Sequence, residues 1–212
     1  MKFALNYLTM TDFIRFFIPF YFILFFIVSF LGISISVARK IGKNPNVLPD
    51  DDSAYALVGW YFKLILIALF IYTILFLLFP ETIKSAYEVS VLKSNAFQYI
   101  GIGLMTVSFI WVIVAQLHMK DSLRIGIDRD LKTKLITNGV FSFSRNPIFL
   151  GMVVSLIGFF LLLPTVISLI FLIVGSILIQ IQIRLEEAHL LQQHGQIYQT
   201  YKKRVGRMLR LY

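Results

Sequence analysis

The residues best equipped for chemistry sit at the two ends of an apolar hairpin. One end is Ser144, Arg145, Asn146, Pro147, Ile148, Phe149, Leu150 and Gly151; the other is Arg184, Leu185, Glu186 and Glu187. The chain between them is apolar and turns near Pro164, so one cation and two carboxylates return to the same membrane face. Ionisable groups are costly in a bilayer, and those that persist at its edge read as a functional site. Each group also has a plain alternative. Arg145 beside Asn146 and Pro147 can open an interfacial helix, because proline's missing N–H costs nothing in a first turn. Glu186 and Glu187 can lie on a solvated amphipathic face. Their opposition across the hairpin favours function.

Other reactive groups carry weaker signals. With no cysteine there is no disulfide, no thiolate metal site and no cysteine nucleophile. His118, His189 and His194 lack convincing metal spacing and are expected to be solvated, so no metal site is expected. Gly101 and Gly103 form a Gly-x-Gly within a predicted span, where close helix packing is the expected role. Lys63 lies inside another span and can snorkel to its end.

The elements that must position these groups follow from composition. The 212 residues are 58% hydrophobic and 16% aromatic, with a mean hydropathy of +0.80, far more apolar than a soluble core of this length requires. An integral membrane protein is expected. The net charge of +9 comes from basic residues beside apolar segments, which points to anionic headgroups and argues against a nucleic-acid partner.

A spanning helix takes about 20 apolar residues, and residues 13–36, 54–79, 97–117, 147–163 and 165–183 qualify. The fold class is therefore an all-α, polytopic membrane bundle of about five transmembrane helices. Leu163, Pro164 and Thr165 must form the bend between the last two. The first segment follows Lys2 as a signal peptide would, but it is too long and lacks a small-residue cleavage pattern, so it is expected to remain as a helix. Residues 186–211 keep helical spacing through Leu190, Ile197, Tyr201 and Val205, predicting an amphipathic interfacial or capping helix broken at Gly195.

Lysine and arginine set the orientation. Arg39, Lys40, Lys43, Lys120, Arg124, Arg129, Lys132, Lys134, Arg145, Arg184 and the basic tail share one side; Lys2, Arg15, Lys84 and Lys93 share the other. The N-terminus is expected outside, the C-terminus in the cytosol, and the charged hairpin ends at the cytosolic face.

The run Leu135, Ile136, Thr137, Asn138, Gly139, Val140, Phe141, then Arg145, Asn146, Pro147, Phe149 and Gly151, resembles the isoprenylcysteine carboxyl methyltransferase family. The likeness continues through Glu186, Glu187, Leu190 and Gly195 into Tyr198, Tyr201, Val205 and Arg207, over roughly residues 97–208. Phospholipid methyltransferases share part of the pattern. The resemblance implies a methyltransferase using S-adenosyl-L-methionine in a pocket within the helical membrane fold. It places Lys134, Leu135, Ile136, Phe141, Asn146, Pro147, Ile148, Phe149 and Glu186 around that cofactor. It also divides the chain into residues 1–95, two helices that can serve the substrate, and a methyltransferase core at 96–212.

The chemistry of the cofactor fits these residue types. Glu186 or Glu187 can accept from its ribose or ammonium, and Arg145 can pair with its carboxylate. Phe141 and Phe149 can flank the adenine or face the sulfonium. Arg145 and Glu187 are the catalytic candidates, Glu187 as a base if the nucleophile is an amine. Asn146 stands where the family usually has histidine, and Phe141 and Phe149 where tyrosine is usual. Gln182 stands where the family has a substrate-facing arginine, with Arg184 two positions on, so both are substrate-side candidates. The expected partner is a lipid or lipophilic acceptor from the bilayer. Its nucleophile is open between a carboxylate and a phospholipid amine, and a non-catalytic protein on the same helices is the rival class.

Overall fold

The computed structural model describes residues 10–32, 53–119 and 135–209. Its helices are α1 (Met10–Phe26, continued by a π-helical turn, Ile27–Gly32), α2 (Ala54–Leu78), α3 (Pro80–Tyr87), α4 (Asn95–Met119), α5 (Pro147–Leu162), α6 (Val166–His194) and α7 (Gln196–Arg204). The fold is an all-α membrane helical bundle. Helices α1, α2, α4 and α6 are each long and apolar enough to cross a membrane. The expected span at 147–163 is the shortest: α5 has 16 residues, or about 24 Å of helix against the roughly 30 Å of a hydrocarbon core.

Large side chains face outward all along the spans, including Phe20, Trp60, Ile67, Val107 and Ile173, as a lipid solvent permits. With no hydrophobic drive between helices in lipid, close backbone approach and buried polar contacts must hold the bundle. Helices α4 and α5 form the most extensive helix pair. A Cβ on Gly101 would lie 2.7 Å from both the Gly158 carbonyl oxygen and the Leu162 nitrogen, and one on Gly151 would lie 2.4 Å from Val112 Cγ2. Gly101 thus serves the expected packing role. Gly103 does not, since a Cβ there meets nothing within 4 Å. Tyr21 of α1 ties the pair to its own helix, its hydroxyl lying 3.0 Å from the Met105 carbonyl, 3.3 Å from Ser108 Oγ and 2.9 Å from Ser155 Oγ.

The α5–α6 bend falls at Leu163, Pro164 and Thr165, as expected. Thr165 caps α6 through its hydroxyl, which accepts from the Ser168 N–H at 3.1 Å, while Ser168 Oγ accepts from the Thr165 N–H at 3.1 Å. This end of the bundle also holds the segment after α3, whose Val89 N–H donates to the Pro164 carbonyl at 2.7 Å. At the opposite end, the Tyr55 hydroxyl near the start of α2 donates to the Leu185 carbonyl at 2.9 Å. The start of α2, the end of α4, the start of α5 and the end of α6 therefore share one end. The basic residues 39–43 and 120–134 that set the expected orientation lie outside the described residues.

Beyond α6 the chain breaks at Gly195, at φ 50°, as expected. The buried face of α7 agrees with the expectation at Tyr201 and differs from it at Ile197. Ile197 is 69% exposed, whereas Tyr198 and Tyr201 are buried.

Candidate active site

The two hairpin ends meet. Helix α5 opens with Asn146 as its N-cap residue and Pro147 in the first turn, which leaves Arg145 just ahead of the helix and free to reach sideways. Its guanidinium lies on Glu187: Nε donates to Oε1 at 3.1 Å and Nη2 to the same oxygen at 2.8 Å. Nη1 donates to the carbonyls of Lys202 and Val205, each at 2.8 Å. Four hydrogen bonds thus occupy a group that has five N–H donors.

The other Glu187 oxygen, Oε2, accepts from Arg207 Nε at 3.1 Å and Nη2 at 2.9 Å. Asn146 Nδ2 donates to the Arg207 carbonyl at 2.9 Å, and the Arg145 N–H to the Gly206 carbonyl at 3.0 Å. The start of α5, the end of α6 and the segment after α7 are therefore pinned on one carboxylate. The Arg145 and Glu187 side chains are 6% and 5% exposed, that of Arg207 36%. The Glu187 carboxylate raises Arg207 above its ordinary value.

A second wall is apolar. Gly139 has φ +60°, and a Cβ there would lie 2.4 Å from the His118 ring, so only glycine lets the chain turn this closely under the end of α4. The turn delivers Val140 and Phe141 onto Ala115, with Ile136, Ile148 and Trp111 packed around them. Trp111 Nε1 donates to the Pro147 carbonyl at 2.9 Å, and the Tyr201 hydroxyl to the Phe141 carbonyl at 2.6 Å. Burial pushes the Tyr201 phenol up to about 12. Burial, then the Glu187 charge, pushes the Tyr198 phenol up as well. Both stay protonated donors, but the buried Tyr198 hydroxyl has no partner among the described residues.

Among the sequence-derived site residues, the structure brings Arg145, Asn146 and Glu187 into one polar cluster, and Ile136, Phe141 and Ile148 into one apolar cluster. Pro147 bridges the two through Trp111. Leu135 and Phe149 are half-buried, and Lys134 lies outside the described residues. Glu186 is half-buried and accepts from Gln182 Nε2 at 3.1 Å. Arg184 is exposed and turned back along its own helix, its Nη1 2.7 Å from the Gln180 carbonyl and 3.1 Å from Gln180 Oε1. It is not brought to the cluster. Two histidines differ from the solvated expectation: His118 packs on Gly139, with Nδ1 2.8 Å from the Val114 carbonyl, and His194 Nε2 is buried without a partner among the described residues.

Sequence reasoning gave no role to Trp111, Tyr198 or Arg207. The aromatic pair at i, i+3 on a polar helix was the available signal for Tyr198; Trp111 and Arg207 had none outside the family pattern.

Residues 97–197 match the family model of phospholipid methyltransferases. That is a little under half of the chain, and it runs from α4 through both hairpin ends to the start of α7. The matched family is not the isoprenylcysteine carboxyl methyltransferases that the motifs resemble. No curated protein and no solved structure matches the chain.

Proposed function

We propose that this protein is an integral membrane methyltransferase that uses S-adenosyl-L-methionine to methylate the amine headgroup of a membrane lipid. One coincidence carries the reading: the stretch that matches the phospholipid methyltransferases contains Arg145, Asn146 and Glu187 of the polar wall and Ile136, Phe141 and Ile148 of the apolar one, gathered at one end of the bundle, while Tyr198, Tyr201 and Arg207 follow it. The amine is preferred to a prenylcysteine carboxylate because the matched family is the phospholipid one. In addition, Gln182, standing where a substrate-facing arginine would be, is bonded to Glu186 and offers no positive charge.

The residues present suit the cofactor. The Tyr198 hydroxyl, without a partner among the described residues, is a donor, and Glu186, which accepts from the Gln182 amide, keeps acceptor capacity for ribose or ammonium. Phe141, Ile136 and Ile148 supply an apolar wall. When bound, S-adenosyl-L-methionine supplies an electrophilic methyl group on a sulfonium.

The protein's task in an in-line displacement is to fix geometry and exclude water. The Arg145–Glu187–Arg207 cluster does the first by locking three chain segments together. Glu187, with two guanidiniums on its two oxygens, is a positioning residue in this scheme. Glu186 takes over as acceptor for the proton that an amine nucleophile must lose. In this reading the site faces the cytosol and the N-terminus lies outside, which the lysine and arginine bias of the sequence supports.

The test is methyl-labelled cofactor given to the protein in vesicles containing phosphatidylethanolamine, followed by lipid extraction. Label in phosphatidyl headgroups is the expected outcome. Label released as a base-labile methyl ester would overturn the amine acceptor, and a protein that neither binds the cofactor nor transfers label is not a methyltransferase.

A further inference from the structure

A second polar site lies at the same end of the bundle, between α4 and α1, the latter a helix that the reading above leaves unused. Ser29 stands in the π-helical turn that ends α1, and Gln116 in the last turn of α4. They are 3% and 8% exposed. Gln116 Nε2 donates to the Ser29 carbonyl at 2.9 Å. That bond leaves two atoms over: Gln116 Oε1 and Ser29 Oγ are both buried and have no hydrogen-bond partner among the described residues. Buried polar groups are overwhelmingly paired, and an unpaired one forfeits its hydration for nothing. Two on facing helices within a membrane protein form a receptor for something polar. Single π turns recur inside α-helices at functional sites.

The position relates this pair to the candidate active site. Gln116 directly follows Ala115, which packs on Val140 and Phe141, and it lies one turn beyond Val112, which abuts Gly151 of α5. Ser29 belongs to a helix wholly outside the matched residues 97–197. The chemistry defines the ligand. An amide oxygen only accepts, and a hydroxyl accepts or donates, so the ligand must present at least one N–H or O–H donor.

We propose that Ser29 and Gln116 form the acceptor subsite, holding the N–H-bearing amine of the lipid headgroup; this rests on the methyltransferase reading above. It adds a selectivity that reading lacks. Each methyl transferred replaces one N–H, and a quaternary ammonium has none left, so the subsite holds partly methylated intermediates and releases the final product. A site built to hydrogen-bond a donor strongly rejects the analogue lacking it.

Ser29→Ala and Gln116→Met remove the two orphaned acceptors with little change of volume; Ser29→Thr keeps a hydroxyl. Each is measured by thermal unfolding in phosphatidylcholine vesicles with a rising share of phosphatidylethanolamine, and by direct binding of S-adenosyl-L-methionine. Wild type and Ser29→Thr should be stabilised by phosphatidylethanolamine. Ser29→Ala and Gln116→Met should need about tenfold more of it, the loss expected for one buried hydrogen bond. In the transfer reaction KM for the lipid should rise by the same factor at unchanged kcat. Equal lipid dependence in all four proteins, with cofactor binding intact, overturns the subsite alone. Absence of cofactor binding by wild type overturns the methyltransferase reading instead. Ser29→Ala removes a single atom and carries the test if Gln116→Met does not fold.

Discussion

Arg145→Met should be among the most damaging single substitutions outside the apolar core, and the structure sets its size. Arg145 makes two bonds to Glu187 Oε1 and two to main-chain carbonyls, with 6% of its side chain exposed. Removing one partner of a buried pair costs about 3–5 kcal/mol, because the remaining charge is left uncompensated. Arg207 still faces Glu187, so the lower part of that range applies, about 3 kcal/mol. Arg207→Met breaks a pair of similar length, 2.9 Å against 2.8 Å, but its side chain is 36% exposed. Solvent screening discounts that loss to about 1 kcal/mol or less. Arg145→Lys keeps the charge yet cannot reproduce a fork that reaches Glu187 and two carbonyls at once, so it should recover less than half of the loss.

The assay is equilibrium unfolding in mixed micelles followed by circular dichroism, paired with limited trypsin digestion at the exposed Lys202, Lys203 and Arg204. Arg145→Met should speed cleavage there, since the bonds to the Lys202 and Val205 carbonyls hold that segment. In a double-mutant cycle, Arg145→Met with Glu187→Met should cost less than the two single losses added, because the pair removes both charges together. Equal losses for Arg145→Met and Arg207→Met, or additivity in the cycle, would refute the claim that burial of the first pair governs its energetics.

Three further outcomes follow from the same geometry. Gly101→Ala should destabilise by about 1–3 kcal/mol in thermal unfolding, since the new Cβ meets the backbone of α5, whereas Gly103→Ala should be neutral or slightly stabilising. Gly139→Ala should cost at least about 1 kcal/mol, for a left-handed backbone and a collision with His118; adding His118→Ala should restore only the collision part, as a melting series will show. Tyr201→Phe strands the buried Phe141 carbonyl and should lose about 1–3 kcal/mol of stability, while Tyr198→Phe, which removes a hydroxyl without a partner among the described residues, should leave stability unchanged and weaken S-adenosyl-L-methionine binding by about tenfold in calorimetry.

Much of the fold was legible because a bilayer imposes long apolar runs, and the spans, the bend at Pro164 and the break at Gly195 all follow from run length and punctuation. What was not legible is rotational phase. Successive residues on a helix differ by about 100°, so which of Glu186 and Glu187 meets Arg145 depends on how α5 and α6 cross, and no local pattern records that. Gly101 and Gly103 differ by about 200°, and only one faces α5. On α7 the helical spacing puts Ile197 and Tyr201 on one face, yet the bundle takes Tyr201 with Tyr198 and leaves Ile197 outside. A phenol can satisfy the Phe141 carbonyl that the cap covers; an aliphatic side chain would leave it stranded.

The ion cluster is a poor choice if stability were its purpose. Desolvating Arg145 and Glu187 costs nearly all that their attraction returns, and a well-packed apolar pair of similar volume often does as well or better. What an apolar pair lacks is direction. A guanidinium with two N–H groups on one oxygen and two on separate carbonyls fixes distance and angle together, so the start of α5, the end of α6 and the segment after α7 meet in one register. That register decides where Glu186 stands, since it is the neighbouring residue on the same helix, and where Phe141 stands, since Tyr201 grips its carbonyl. Three segments far apart in sequence must converge on a small polar ligand at a membrane surface, where the hydrophobic effect between helices offers little guidance. A directional contact at their junction supplies the order that lipid cannot, and it accounts for buried charges at both ends of an otherwise apolar hairpin.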